Sequence, residues 1–165
     1  MEQIEDKQNT SAIFFQRLTE RLKGESVRLK EAYQLPGENI FLINHALKHT
    51  MGMVDGVLSI LKKDDPAYEG TLLFKEGLEK LHTKLRNALV GRPVLIKTLS
   101  EAYCLLWSLD ENLEFIDYII KEGQDKLADK EKSFLSNNID VYNKIIESLK
   151  KASGIELVNP LDSES

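Results

Sequence analysis

The residues best placed to do chemistry in this chain of 165 are His45-Ala46-Leu47-Lys48-His49. They lie within a strong helical pattern from Asn39 to Lys62. There Ile43, Ala46, Leu47, Val54, Val57, Leu58 and Leu61 recur at three- and four-residue spacings and share one apolar face. At about 100° per residue, His45 falls nearly opposite the centre of that face, with Lys48 and His49 beside it. An imidazole held outward on a rigid helix can serve as a nucleophile or as a ligand. As a nucleophile it would accept a phosphoryl group, with a lysine one turn on to stabilise the transferred charge. As ligands, His45 and His49 form an i, i+4 pair that can share a metal ion. Glu79-Lys80-Leu81-His82 adds one Glu-x-x-His, the element that di-iron carboxylate bundles use twice. With no second copy, no metal is assigned, and His45, His49, Glu79 and His82 are the side chains a metal would have to use. No other cofactor is implied.

A second pattern overlaps the first. His45, His49, Gly52, Gly56 and Ser59 fall on one side of the same helix. Two glycines in a helix cost stability, so a close approach by another backbone would account for them. The expectation is a tight helix crossing inside the fold. The competing reading is a partner-docking groove, whose candidates are His45, Lys48, His49, Gly52 and Gly56. Cys104 lies in an apolar run, where cysteine behaves as a small buried hydrophobe.

The elements that must position these residues read as all-α, an up-and-down bundle of about five helices: roughly 11–33, 39–62, 71–90, 93–122 and 124–152. Phe15, Leu18, Leu22, Leu29 and Tyr33 give the first its stripe, and Leu35-Pro36-Gly37-Glu38 turns the chain into the second. Phe74, Leu78, Leu81, Leu85 and Ala88 mark the third, and Gly91-Arg92-Pro93 is a tight connection. The fourth is the most apolar, because Leu105, Trp107, Phe115 and Ile119 widen its face well past one stripe. Ser108 with Glu111 resembles a capping box, so a kink is expected there. No strand-like alternation competes. Residues 1–10 are expected to form a flexible N-terminus, 11–153 a single helical-bundle domain, and 154–165 a disordered acidic tail.

His45-Ala46-Leu47-Lys48 resembles the acceptor segment of histidine phosphotransfer domains. Together with the apolar helix that follows, it is similar to the phosphoacceptor hairpin of sensor histidine kinases. That resemblance implies a phosphate accepted on His45 from an aspartyl phosphate of a receiver domain, with Lys48 assisting. His49 stands where the family often has a small residue, and Ala46 and Thr50 stand where kinase hairpins commonly carry an acid and a proline. No Gly-rich ATP-binding domain follows, so only relay or docking is implied.

Composition narrows the class further. The chain is 42% hydrophobic and 30% charged, ordinary for a folded domain. Its net charge of −5, with both signs interleaved, argues against nucleic-acid binding. Its weakly charged runs are well short of the ~20 residues that span a bilayer, and no helix combines a basic with an apolar face. A lone cysteine and an acidic, polar first segment point to a cytoplasmic setting. No Walker loop, Gly-x-Ser-x-Gly, His-Glu-x-x-His or dinucleotide fingerprint is present. The expectation is therefore a non-enzymatic interaction or regulatory module, binding a protein partner through helix faces, with a homodimer among the options. A phosphorelay protein is the second reading and a metal-binding bundle the third.

Overall fold

Four long helices carry the fold among the residues that the computed structural model describes, 28–88, 91–123 and 126–153. They are α1 (Ile40–Ile60), α2 (Pro66–Arg86), α3 (Leu99–Glu122) and α4 (Asp129–Ser153). Two short strands, β1 (Arg28–Leu35) and β2 (Val94–Thr98), pair antiparallel, and a 3-10 turn at Gly37–Asn39 leads from β1 into α1. The molecule is thus mostly helical, as the sequence implies, but with a small sheet.

The strands correct two expected helices. Arg28–Leu35 is extended where a helix was expected to continue to residue 33. Residues 11–27 of that helix lie outside the described residues, as do 1–10 and 154–165. Leu29 and Tyr33 are i, i+4, which suits one face of a helix, yet an even spacing also puts them on one face of a strand. Leu29 and Leu35 are buried and Tyr33 half-buried, so the strand uses that second option. Residues 94–98 are likewise a strand rather than the start of a helix at Pro93. Tyr33 pairs with Ile96 and Leu35 with Val94, with an irregularity between Arg28 and Tyr33. A sheet of two strands is marginal by itself, and this one is held by packing against α4 and α3.

Helix ends follow local capping chemistry. Asp65 accepts the Ala67 N–H at 2.8 Å and Pro66 occupies the first turn, so α2 starts before the expected Thr71 and ends before residue 90. α3 begins at a capping box formed by Thr98 and Glu101, and it runs unbroken through Ser108, where a kink was expected. Lys84 of α2 reaches the same carboxylate at 2.7 Å and also donates to the Leu95 carbonyl. One acidic side chain thereby joins α2, β2 and α3.

α1 packs on α2 and α3, α2 on α3, and α3 on α4. Ile43, Leu47, Phe74, Leu78, Leu105 and Leu109 are fully enclosed between them. Trp107 meets Phe74 edge-on, with ring centroids 4.9 Å apart. The tight crossing lies at Gly77, where an added Cβ would fall 2.8 Å from Cys104 Sγ. The expected crossing at Gly52 and Gly56 is not there, since nothing comes within 4 Å of a Cβ at either position. No helix among the described residues is long and apolar enough to cross a membrane.

Candidate functional site

The outward face of α1 borders a groove shared with α3 and α4. Phe41, Leu42, His45 and His49 line it from α1; Asn112, Phe115, Ile116 and Ile119 from α3; Phe134, Leu135, Asn138 and Tyr142 from α4. Each set recurs at helical spacing, so each helix presents one continuous seam. The groove encloses about 500 Å³, within the range of small-molecule and peptide-anchor pockets.

Its rim is aromatic. Phe41 is 88% exposed, Phe115 46% and Phe134 62%, one from each helix. Three exposed phenylalanines around one concavity form an apolar patch of the kind that marks an interaction site. The apolar width expected for the fourth helix divides along α3. Leu105 is wholly buried and Trp107 half-buried, whereas Phe115 and Ile119 turn toward the groove.

His45 is exposed, and His49 is half-buried with its ring 4.8 Å from that of Phe115. Lys48 is exposed as well, but its charge reaches His82 on α2. Gly52, Gly56 and Ser59 continue the stripe of Phe41, His45 and His49 past the end of the groove, and all three are exposed. Asn112 joins the groove floor to the core, donating to the Ala46 carbonyl at 3.2 Å and to the Ser108 carbonyl at 2.8 Å.

The far wall carries polar groups that sequence reasoning did not single out. Asn138 is 8% exposed and Tyr142 2%. Both line the groove. Burial pushes the Tyr142 hydroxyl up to about 12, so it remains a donor at any ordinary pH. Among the described residues the groove's polar lining is His45, His49, Asn112, Asn138 and Tyr142, and Lys130 and Glu131 line the shallower cleft that shares Ile119, Phe134 and Leu135 with it.

The side chains a metal would need do not converge. His45 and His49 face the groove from α1, whereas Glu79 is exposed and His82 half-buried on α2. Among the described residues no group of three or more His, Cys, Asp and Glu could hold an ion. Burial, followed by the nearby charges of Lys48 and Arg86, lowers the pKa of His82, and its enclosed Nε2 has no partner among the described residues. Cys104 is enclosed, and burial, with Glu101 adding to it, raises its thiol to about 12, which rules out a neutral-pH nucleophile.

Comparison of the chain with protein-family models, with curated proteins and with solved structures finds no match. Functional inference therefore rests on the groove itself.

Proposed function

We propose that this chain is a non-enzymatic interaction module, regulatory in role, that docks a protein partner in the groove between α1, α3 and α4. The observation that carries this reading is the ring of three exposed phenylalanines, contributed by three different helices around one apolar concavity. Covering such a patch removes apolar area from water and favours association. Phe115 is central, because it rests on His49 and separates the α1 and α4 walls. The test is purification of the tagged full-length chain beside its Phe115→Asp variant. A partner retained in stoichiometric amount by the first and lost by the second supports the reading. The same proteins on both, or none on either, would remove it.

A second reading is supported by one feature. His45 is exposed at the edge of that groove, where a docked receiver domain could present an aspartyl phosphate to the imidazole. Lys48 would assist from the next turn. Intact mass after incubation with phosphoramidate checks this: one acid-labile adduct on His45, absent from His45→Gln and passed rapidly to a receiver domain. Slow labelling of all three histidines would count against it.

A further inference from the structure

α1 and α2 form a helical hairpin, joined by residues 61–65 and packed against each other. Its register is marked by Asp55 of α1 and Lys75 of α2, whose charged atoms lie 2.7 Å apart. Seven residues make two helical turns, about 10.5 Å at 1.5 Å per residue. Two turns back from Asp55 stands Lys48, and two turns on from Lys75 stands His82. Antiparallel helices therefore bring Lys48 and His82 to one level of the seam. One turn further along it come Asn44 on α1 and Arg86 on α2.

An ion pair closes the seam at Asp55, but its other end collects like charge. The charges that act on His82 are those of Lys48 and Arg86, one from each helix. Among the described residues neither cation has a salt-bridge partner. Glu79, one turn before His82, lies 3.9 Å from Lys75, and Glu101 is taken by Lys84. Cations gathered without a counter-charge repel one another. Two polar atoms of this stretch are also unsatisfied. His82 Nε2 and Asn44 Oδ1 are enclosed and have no hydrogen-bond partner among the described residues.

An enclosed polar atom without a partner marks a place for water, an ion or a ligand. Water would answer the unpaired atoms and leave the repulsion in place, whereas an anion answers both. The donors suit a tetrahedral oxyanion. Arg86 offers a planar fork, Lys48 a point charge and His82 an imidazole N–H. A half-turn of the Asn44 amide brings its N–H groups to the enclosed position. Lys48 and Arg86 are exposed and carried on long stems, so their heads can part to admit an anion and close over it.

We infer that Lys48, His82 and Arg86, with Asn44 beside them, form a binding site for a phosphate dianion on the α1–α2 seam. The site is separate from the groove, whose α1 wall is Phe41, Leu42, His45 and His49, and it stands without the docking reading.

The probe is inorganic phosphate at about pH 7, where the dianion is abundant. It is added to the untagged full-length chain at constant ionic strength, with sodium chloride as the matched control. The three histidines report through their imidazole Cε1–H signals in NMR spectra. His82 alone should shift, with half-saturation at about 1 mM or below, and phosphate should raise the thermal midpoint. Lys48→Gln and Arg86→Gln should each weaken the response at least about tenfold. Lys80→Gln removes an exposed charge elsewhere on α2 and should leave it unchanged.

Methyl phosphate distinguishes the sources of the ligand. Tighter binding than inorganic phosphate would mean a phosphoryl group carried on a larger molecule, and weaker binding the free ion. Equal shifts of His45, His49 and His82 would overturn the inference, as would the same shift with chloride. A full response in the Lys48→Gln, Arg86→Gln double variant overturns it as well. Both substitutions relieve repulsion at exposed positions, so the double variant should hold or gain thermal midpoint without phosphate and lose only the gain that phosphate brings.

Discussion

A methyl group added at Gly77 would meet Cys104 Sγ at 2.8 Å, whereas one added at Gly56 would meet nothing within 4 Å. The two helical glycines therefore respond oppositely to the same change. Gly77→Ala overpacks the α2–α3 contact and should cost about 1–3 kcal/mol. Gly56→Ala gains helix propensity and should stabilise by about 1 kcal/mol. Urea midpoints of the two variants check this directly. His82 gives a second residue-level prediction. Burial first, then Lys48 and Arg86, holds its folded pKa below the unfolded value of about 6.5. Above that value both states are neutral and the stability is fully present. As pH falls through the unfolded pKa toward the lower folded one, the unfolded chain takes up the proton first and stability declines. His82→Leu should flatten that decline in urea midpoints measured between about pH 7.5 and about pH 5.5. It also removes the unpartnered Nε2, so the variant should be at least as stable at neutral pH.

Among the elements, the start of α3 is the most specified. Thr98 accepts the Glu101 N–H at 3.2 Å, and Glu101 Oε1 accepts the Lys97 N–H at 3.1 Å. Glu101 Oε2 takes Lys84 at 2.7 Å. Burial acts to raise the Glu101 pKa, but the Lys84 bond and the backbone donors outweigh it and hold it low. Its stabilisation is therefore present above the unfolded carboxylate value and lost as pH falls through the folded one. Thr98→Ala should cost about 1 kcal/mol as a lost cap. Lys84→Met should cost less, about 0.5 kcal/mol, because the pair is partly exposed. The double variant Lys84→Met with Glu101→Gln should cost less than the sum of its parts, since both act on one carboxylate. A double-mutant cycle on unfolding free energies reads this coupling.

For the whole molecule, the main consequence is an apolar surface that folding leaves uncovered among the described residues. Phe115→Asp removes an exposed ring rather than a core one, so global stability should change by no more than about 1 kcal/mol. Partner retention should collapse in the same variant. Thermal unfolding and co-purification measured on one preparation separate these effects. A variant that unfolds would instead place Phe115 in the core of the fold.

The apolar faces of α1, α2 and α3 were legible because period-3.6 burial leaves a direct trace in residue order, and the buried positions at Ile43, Leu47, Phe74, Leu78 and Leu109 follow it. The outward position of His45 was legible for the same reason, whereas Gly52 and Gly56, expected at a tight crossing, are exposed. Phe41 sits four residues before His45, so the aromatic on that outward face was a readable signal. The strands were not legible. Arg28–Leu35 contains no β-branched residue, and its conformation is set by pairing with Val94–Thr98, far away in the chain. The Thr98 and Glu101 cap was hidden by the same error, since a helix assumed to begin at Pro93 has no need of it. The groove also needed the tertiary structure. Periodicity assigns Phe134 and Tyr142 to one apolar face, but it cannot say that Tyr142 is enclosed while Phe134 stands 62% exposed. That depends on where α4 lies against α3 and β1, a distance between elements rather than a pattern within one. Sequence by itself determined which faces are apolar and which side of α1 turns outward. Tertiary structure alone decided which apolar faces found a partner, because burial is a property of pairs of surfaces.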